Sequence, residues 1–184
     1  MKTRDNDIVH LVLKCKENDR LSQHKVYEMF YGKMMGVSLR YFKDKDTASD
    51  IVQESFIKAF TKIKQFDGGK NFEGWLKRIV VNTSLDAIRK NKKISFTDEK
   101  TLYNQSEEVA AEKAIYEGIN MSQILEAVNE LSDGYRTIFN LYVMDGLTHK
   151  EIATYLNISE GTSKSNYSKA KAKLKVILTK NILP

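Results

Sequence analysis

From Thr148 to Leu178 the sequence is THKEIATYLNISEGTSKSNYSKAKAKLKVIL, a pattern typical of two helices joined by a tight turn. It begins with the Thr-x-x-Glu pattern of a capping box, in which the Thr148 hydroxyl and the Glu151 carboxylate each satisfy an amide of the first helical turn. The side of this short helix that faces a neighbour is apolar and carries Ile152, Ala153 and Leu156. Residues 157–159 make a turn, and Ser159 is a favourable N-cap for a second helix.

The second helix of this motif is predicted to carry only positive charge. From Gly161 onward the chain has no Asp or Glu and six lysines: Lys164, Lys169, Lys171, Lys173, Lys175 and Lys180. A tight two-helix corner with a cationic second helix is the geometry that places side chains in a DNA major groove. The alternative is a solvated charged face, which we expect to carry both signs. The pattern therefore predicts a DNA-binding helix-turn-helix.

Charge is distributed unevenly along the 184 residues, which carry a net charge of +6. Residues 1–93 hold 20 basic and 12 acidic side chains, a net of +8. Residues 94–125 hold 2 and 6, a net of −4, and residues 126–184 hold 8 and 6, a net of +2. Two basic blocks around an acidic middle predict two modules that face nucleic acid, joined by a segment that avoids phosphates.

Helical spacing recurs throughout, and the single proline is Pro184, so the chain is predicted to be all-α, with two helical domains. We expect domains at 1–93 and 122–184, joined by a flexible acidic linker at 94–121. The predicted helices span 6–17, 22–43, 47–65, 71–91, 112–130, 134–145, 148–156 and 160–179. Gly146 follows Asp145 where a left-handed C-terminal cap is expected.

Composition also limits the compartment and the chemistry. Cys15 is the only cysteine and cannot form an internal disulfide, and no apolar run resembles a signal peptide or membrane span, so we expect a cytoplasmic protein. The histidines, His10, His24 and His149, lack metal-ligand spacing, and no glycine-rich phosphate loop is present. We expect Cys15 to be a half-buried hydrophobe. The sequence therefore predicts no catalytic residue, no metal site, no cofactor and no small-molecule substrate.

The helix predicted to start at Thr47, capped by Thr47 with Asp50, has two distinct sides. One is a stripe at i, i+4 spacing that should be buried: Ile51, Val52, Ser55, Phe56, Ala59, Phe60 and Ile63. The other carries Asp50, Gln53, Glu54 and Ile57. Either this second side is a solvated face with carboxylates near a helix N-terminus, or it binds a protein, because its charge is wrong for DNA. Spacing alone leaves both hypotheses open.

The next helix carries a polar row beside its apolar one. Asn82, Asp86 and Arg89 recur at i, i+4 and i+7, and the helix ends in a cluster of basic residues that includes Lys90, Lys92 and Lys93. This cluster either complements the helix dipole or follows a phosphate backbone. Near the Gly68-Gly69 loop, Trp75 is predicted to be a core residue. Phe66 is predicted either to be core or to stack on an unpaired base.

These residues carry a family resemblance. The run from Asp50 to Phe60 (DIVQESFIKAF), followed by Phe72-x-x-Trp75-Leu76-x-x-Ile79-x-x-Asn82-x-x-x-Asp86-x-x-Arg89, resembles region 2 of the extracytoplasmic-function (ECF) sigma factors of the sigma-70 family. The segments Ser132–Arg136, Gly146–Ala153 and Gly161–Ser165 are similar to region 4 of the same family. The resemblance spans nearly the whole chain in the right order.

The resemblance implies a bacterial transcription initiation factor that binds core RNA polymerase and assists strand opening at promoters. Its implied protein partners are the clamp helices of the largest polymerase subunit, the flap of the second-largest subunit and an anti-sigma factor. By position, Asp50, Gln53 and Glu54 would face the clamp helices. The resemblance thus favours the protein-binding hypothesis for that side of the helix.

The resemblance also implies two DNA contacts. Phe66 and Asn82 would line a pocket for a flipped base of the minus-ten element, with Asp86, Arg89 and Lys90 nearby. The minus-thirty-five element would be contacted by Lys164, Ser165, Ser168 and Lys169.

Two departures from the family pattern lie on the second helix of the motif. Asn166 stands where many members have arginine, and Ser163 stands where many have an apolar residue. Asn166 is predicted to be a further contact to the minus-thirty-five element. Its amide suits an adenine edge, whereas arginine would favour guanine, so the family's base preference at this position does not carry over. A stand-alone helix-turn-helix regulator is the alternative hypothesis, but it leaves the features of residues 50–89 without a purpose.

Overall fold

The structure is a computed structural model that describes residues 2–67, 71–90 and 120–182. Within these ranges all regular structure is helical, which confirms the predicted all-α fold. The chain divides into two compact units, Met1–Lys90 and Asn91–Pro184, called here the N-terminal and C-terminal units. Most of the predicted linker, residues 94–119, lies outside the described residues.

In its described residues, 2–67 and 71–90, the N-terminal unit contains four long helices and one short one. These are α1 (Lys2–Lys16), α2 (Arg20–Ser38), α3 (Lys45–Lys62), a 3-10 helix (Ile63–Gln65) and α4 (Phe72–Lys90). Helix α2 ends five residues before the predicted end at residue 43. The chain turns there because the Tyr41 amide bonds to the Ser38 carbonyl and the Tyr41 ring, 2% exposed, is buried.

Helix α3 begins earlier than predicted, and its cap is a different residue. The Asp44 carboxylate accepts hydrogen bonds from the Thr47 amide at 2.8 Å and the Thr47 hydroxyl at 2.7 Å. The predicted cap formed by Thr47 with Asp50 is therefore wrong: Asp44 lies where the backbone is still extended, as an N-cap must. The same two bonds hold the pKa of Asp44 below its ordinary value.

The core of the N-terminal unit is drawn from all four helices. Its buried members are Val12, Cys15, Val26, Phe30, Met34, Val52, Phe56, Ala59, Ile63, Phe66, Phe72, Leu76 and Val80. The predicted α3 stripe is confirmed: Ile51, Val52, Ser55, Phe56, Ala59 and Ile63 are buried, and Phe60 is half-buried. Since the stripe faces the core, the opposite side of α3 is left exposed.

The C-terminal unit also contains four described helices. These are α5 (Met121–Glu130), α6 (Asp133–Phe139, continued by a π-helical turn at Asn140–Met144), α7 (His149–Leu156) and α8 (Glu160–Ile182). The part of the predicted helix 112–130 before residue 120 lies outside the described residues. Gly146 has a φ of 70°, which confirms its predicted left-handed conformation.

A second core holds these helices together. It is formed by Ala127, Val128, Leu131, Tyr135, Phe139, Ala170, Leu174 and Leu178. Arg136 is also buried, at 2% exposure, and its guanidinium donates to Asp133 at 2.8 Å. This pairing compensates the charge of a buried arginine and fixes the first turn of α6.

Candidate nucleic-acid and protein interfaces

The first helix of the helix-turn-helix begins as predicted. The Thr148 amide donates to Glu151 Oε2 at 2.8 Å, and the Glu151 amide donates to Thr148 Oγ1 at 3.3 Å. These reciprocal bonds confirm the capping box, and the bonds from Thr148 hold the pKa of Glu151 below its ordinary value. The capping box therefore fixes the start of α7, the helix that precedes α8 in the chain.

The turn between α7 and α8 is confirmed as well. Asn157 adopts a left-handed conformation with a φ of 54°, and the Ile158 amide returns to the Ala153 carbonyl at 3.1 Å. Ser159 Oγ then accepts from the Thr162 amide at 2.9 Å, as an N-cap does. The motif consequently presents the first turns of α8 at a sharp corner.

The exposed side of α8 carries some of the predicted DNA-binding residues. Lys164 is exposed, while Ser165, Ser168 and Lys169 are half-buried. The prediction that this helix carries only positive charge is wrong, because Glu160 is its first residue. Glu160 Oε1 lies 2.7 Å from Lys164 Nζ, and this pairing holds the pKa of Glu160 below its ordinary value. A carboxylate at a helix N-terminus also complements the helix dipole.

Asn166 does not lie on the exposed side of α8. It is only 2% exposed, and its amide nitrogen donates to the Thr162 carbonyl at 2.8 Å. The expectation that Asn166 contacts an adenine edge is therefore wrong for this structure. The side chain is used inside the unit, since a buried amide needs hydrogen-bond partners that the protein must supply.

A polar contact that the sequence did not predict joins α7 to α8. Ser163 is completely buried, and its hydroxyl lies 2.9 Å from His149 Nδ1. The His149 ring stacks on Tyr142, with centroids 4.4 Å apart and planes 13° apart. Burial, followed by the charge of Lys164, holds the pKa of His149 below its ordinary value. The available signal was Ser163 itself, a hydroxyl where an apolar residue is usual.

The outer face of α3 is defined here as Asp50, Gln53, Glu54 and Ile57. All four side chains are exposed, and Ile57 is 67% exposed. Glu54 Oε1 lies 2.8 Å from Lys58 Nζ, and Gln53 donates to Ser49 Oγ at 3.3 Å. A helix face with two carboxylates around an exposed isoleucine can bind a protein more readily than a phosphate backbone.

The polar row of α4 is defined here as Asn82, Asp86, Arg89 and Lys90. Asn82, Arg89 and Lys90 are exposed, and Asp86 is half-buried and paired with Arg89. Thr83 and Ser84, which follow Asn82 in the chain, are buried at 2% and 0% exposure, so the row projects from a packed helix. Lys92 and Lys93 lie outside the described residues. The row combines an amide, a carboxylate and two cations, which suits contacts to bases and phosphates.

Phe66 lies beneath the surface of the N-terminal unit. Its ring is 4% exposed and packs against Phe72 and Trp75, with centroid distances of 5.4 and 5.2 Å. Contact between a base and an accessible Phe66 ring, which was one of the two predictions, is therefore wrong for this conformation. Trp75 is half-buried in the same aromatic cluster, consistent with its predicted core role.

Cys15 is completely buried, rather than half-buried as expected, and burial raises the pKa of its thiol to about 11. A thiol with such a pKa is not a nucleophile at neutral pH. Across the residues that the structure describes, no cluster of His, Cys, Asp and Glu could hold a metal ion. None of the described helices has the length and apolar character needed to cross a membrane.

Comparison with known families matches both units. The family model of sigma-70 region 2 matches residues 26–94, and that of sigma-70 region 4 matches residues 121–174. The first match contains the outer face of α3 and the polar row of α4. The second contains the complete helix-turn-helix.

Individual relatives align along most of the chain. The ECF RNA polymerase sigma factor SigW of Bacillus subtilis is 30% identical over 173 residues, which is 89% of this chain and 92% of SigW. SigM of the same organism is 29% identical, covering 86% of this chain and 96% of SigM. Among solved structures, the sigma factor RpoE from Bartonella quintana, in complex with the anti-sigma factor NepR, is 23% identical. Its TM-score is 0.49, with coverage of 85% of this chain and 96% of that chain.

Both family regions occur in the order that sigma factors require, and the similarity to SigW extends over nearly its full length. The chain belongs to the ECF RNA polymerase sigma factors of the sigma-70 family, which are transcription initiation factors.

Proposed function

We propose that this sigma factor binds its partners through three separate surfaces and has no catalytic activity of its own. The outer face of α3 binds core RNA polymerase. The polar row of α4 holds a separated strand of the minus-ten element. The exposed side of α8 contacts the duplex at the minus-thirty-five element. Its proposed place of action is the cytoplasm, where polymerase and promoter DNA are found.

Binding of polymerase through α3 is supported by charge and exposure. Asp50 and Glu54 would be repelled by phosphates, whereas an exposed Ile57 beside them suits a protein partner whose surface is basic with an apolar centre. The face stands on a helix whose opposite side is buried, so it is rigid before binding. By family resemblance, the partner of Asp50, Gln53 and Glu54 is the clamp-helix pair of the largest polymerase subunit.

Strand capture by the α4 row is supported by its mixture of groups. Asn82 offers both a donor and an acceptor to the edge of an unpaired base, and Arg89 and Lys90 offer charge to the backbone. Extruding a base from a duplex costs a few kcal/mol, and such contacts offset that cost. Phe66 is left out of the proposed base contacts because its ring is buried against Phe72 and Trp75.

Duplex binding by α8 is supported by the position of the helix in the helix-turn-helix. Lys164, Ser165, Ser168 and Lys169 lie on its exposed or half-buried positions, so they are the proposed contacts to the minus-thirty-five element. Asn166 is left out of this set because it is buried. An anti-sigma factor and the flap of the second-largest polymerase subunit remain proposed partners on the strength of the family resemblance.

The observation that carries the proposal is the separation of charge within the N-terminal unit. Exposed carboxylates, Asp50 and Glu54, project from α3, and exposed cations, Arg89 and Lys90, end α4. One unit thus offers a face suited to protein and a row suited to nucleic acid. A stand-alone helix-turn-helix regulator has no use for the first of these.

The experiment compares promoter complexes formed with and without core polymerase, using a fragment selected by run-off transcription. We expect weak gel-shift binding by the protein alone and strong binding with polymerase. Permanganate, which oxidises unpaired thymines, should report an open minus-ten region. Asn82→Ala should reduce that reactivity without reducing duplex association, and Asn129→Ala, an exposed asparagine of α5, should behave as wild type. Unchanged permanganate reactivity in Asn82→Ala would refute strand capture by this residue.

A further inference from the structure

We infer that Lys16 is a positioning residue for strand opening, because it ties the end of α1 to the main chain from which the segment leading to α4 departs. This inference rests on the proposed function of the α4 row. Lys16 lies in the last turn of α1 and is half-buried. Its ammonium donates to the Phe66 carbonyl at 2.8 Å, across 50 residues of sequence.

The Phe66 carbonyl is placed where such a donor matters. The Phe66 amide bonds to the Ile63 carbonyl at 3.1 Å and closes the 3-10 helix that follows α3. At Phe66 the backbone is extended, so its carbonyl has no place in the helical ladder. A lysine ammonium at this point supplies a charge-assisted hydrogen bond and complements the negative end of the helix.

Neighbouring residues hold Lys16 in place. Val12 and Cys15, on the preceding turn of α1, are 3% and 0% exposed and belong to the same core cluster as Ile63 and Phe66. The end of α1 therefore cannot shift without disturbing that core. Because Lys16 is half-buried, its contact with the carbonyl is less screened by solvent than an ordinary surface pair.

The contact acts on the polar row through the aromatic cluster. The Phe66 and Phe72 rings lie edge to face at 5.4 Å, so the residues that precede and follow positions 67–71 are joined. Asn71 Oδ1 accepts from the Gly74 amide at 3.3 Å and steadies the first turn of α4, the helix that carries Asn82. Lys16 thus completes a frame of α1, the 3-10 helix and α4, and this frame sets where an extruded base meets the protein.

The test uses Lys16→Met, which keeps an unbranched aliphatic side chain but has no donor, and Lys16→Arg, which restores a donor. The control is Lys14→Met, because Lys14 is exposed on the same helix. Each variant is assayed with core polymerase on the selected promoter for association and for permanganate reactivity. We expect Lys16→Met to lower open-complex formation by about tenfold with unchanged association, the value of a charge-assisted hydrogen bond. Lys16→Arg should recover most of it, and Lys14→Met should match wild type.

Normal opening by Lys16→Met would overturn the inference, as would failure of Lys16→Arg to restore opening. A parallel loss of polymerase association would also overturn it, because the contact would then be a general stabiliser. An Asn82→Ala arm in the same assay separates the two proposals. If Asn82→Ala is defective and Lys16→Met is not, strand capture stands and the role of Lys16 falls; if Asn82→Ala opens the promoter normally, the proposed function of the row falls.

Discussion

The two units place their candidate contact residues differently. In the N-terminal unit, Asp50 and Glu54 project from a helix whose buried side is a separate stripe, and Asn82 is exposed beside buried Thr83. In the C-terminal unit, the first half of α8 mixes the two uses: Lys164 is exposed, while Ser163 and Asn166 are buried and bonded to α7 and to α8 itself. Exposed candidate contact residues and buried core residues thus lie on separate sides of α3 in the first unit, whereas they alternate along the first half of α8 in the second.

This difference teaches that position on a recognition helix does not identify a base contact. A side chain on α8 contacts DNA only if the packing of the C-terminal unit leaves it exposed. On α3 and α4, the burial pattern alone separates the two groups.

The largest effect is expected from Lys164, which is exposed, and Lys169, which is half-buried, on α8. Lys164→Ala and Lys169→Ala should each weaken promoter binding by about 1–3 kcal/mol if they contact bases, with little change in the free energy of unfolding. Titration of holoenzyme against labelled promoter measures the loss, and Lys180→Ala, at the far end of α8, is the matched control. Equal losses on unrelated DNA would instead assign these lysines to phosphates.

A smaller effect is expected at Asn166, where a substitution should change stability rather than DNA binding. Asn166→Ala removes a buried hydrogen-bonding side chain, so it should lower the free energy of unfolding by about 1 kcal/mol. The preferred promoter sequence should stay the same, because the side chain does not reach DNA. Urea unfolding and selection from a randomised minus-thirty-five library test the two parts. A changed base preference at one position would return Asn166 to the contact surface.

The smallest effect concerns pH and the contact of His149 with Ser163. Because the folded state holds the pKa of His149 below its unfolded value of about 6.5, the folded state binds fewer protons between the two values. The resulting stability is present above about pH 6.5 and is lost as the pH falls through the lower folded pKa. The midpoint temperature of thermal unfolding should therefore fall less steeply between pH 8 and pH 5 in His149→Asn than in wild type. Identical slopes would contradict this.

Much of this architecture was predictable because it depends on residues within four positions of each other. The Thr148–Glu151 capping box, the left-handed Gly146 and the buried stripe of α3 are all local patterns. The exposure of Asp50, Gln53 and Glu54 followed from the same periodicity. The cap of α3 was missed although it is local, because both Asp44 and Thr47 are good N-caps and the sequence does not say which one lies outside the helix.

The remaining errors concern contacts between distant parts of the chain. The burial of Phe66 depends on Phe72 and Trp75, and its carbonyl is held by Lys16 from another helix. The burial of Asn166 and Ser163 depends on the rotation of α8 against α7, which no spacing within α8 specifies. Such orientations are set by the packing of whole helices, so they emerge only when both partners are in place.

The most direct test of the account is the affinity for core RNA polymerase of a variant with a reversed outer face of α3. Asp50→Lys with Glu54→Lys changes the charge by the same amount as the control, Glu17→Lys with Glu28→Lys, which places the same reversal at exposed carboxylates of the N-terminal unit that are not on α3. The account predicts that the first pair weakens binding at least about tenfold while thermal unfolding stays unchanged. It also predicts that the control binds as wild type does. Equal affinity of both double variants for the polymerase would contradict the assignment of this face.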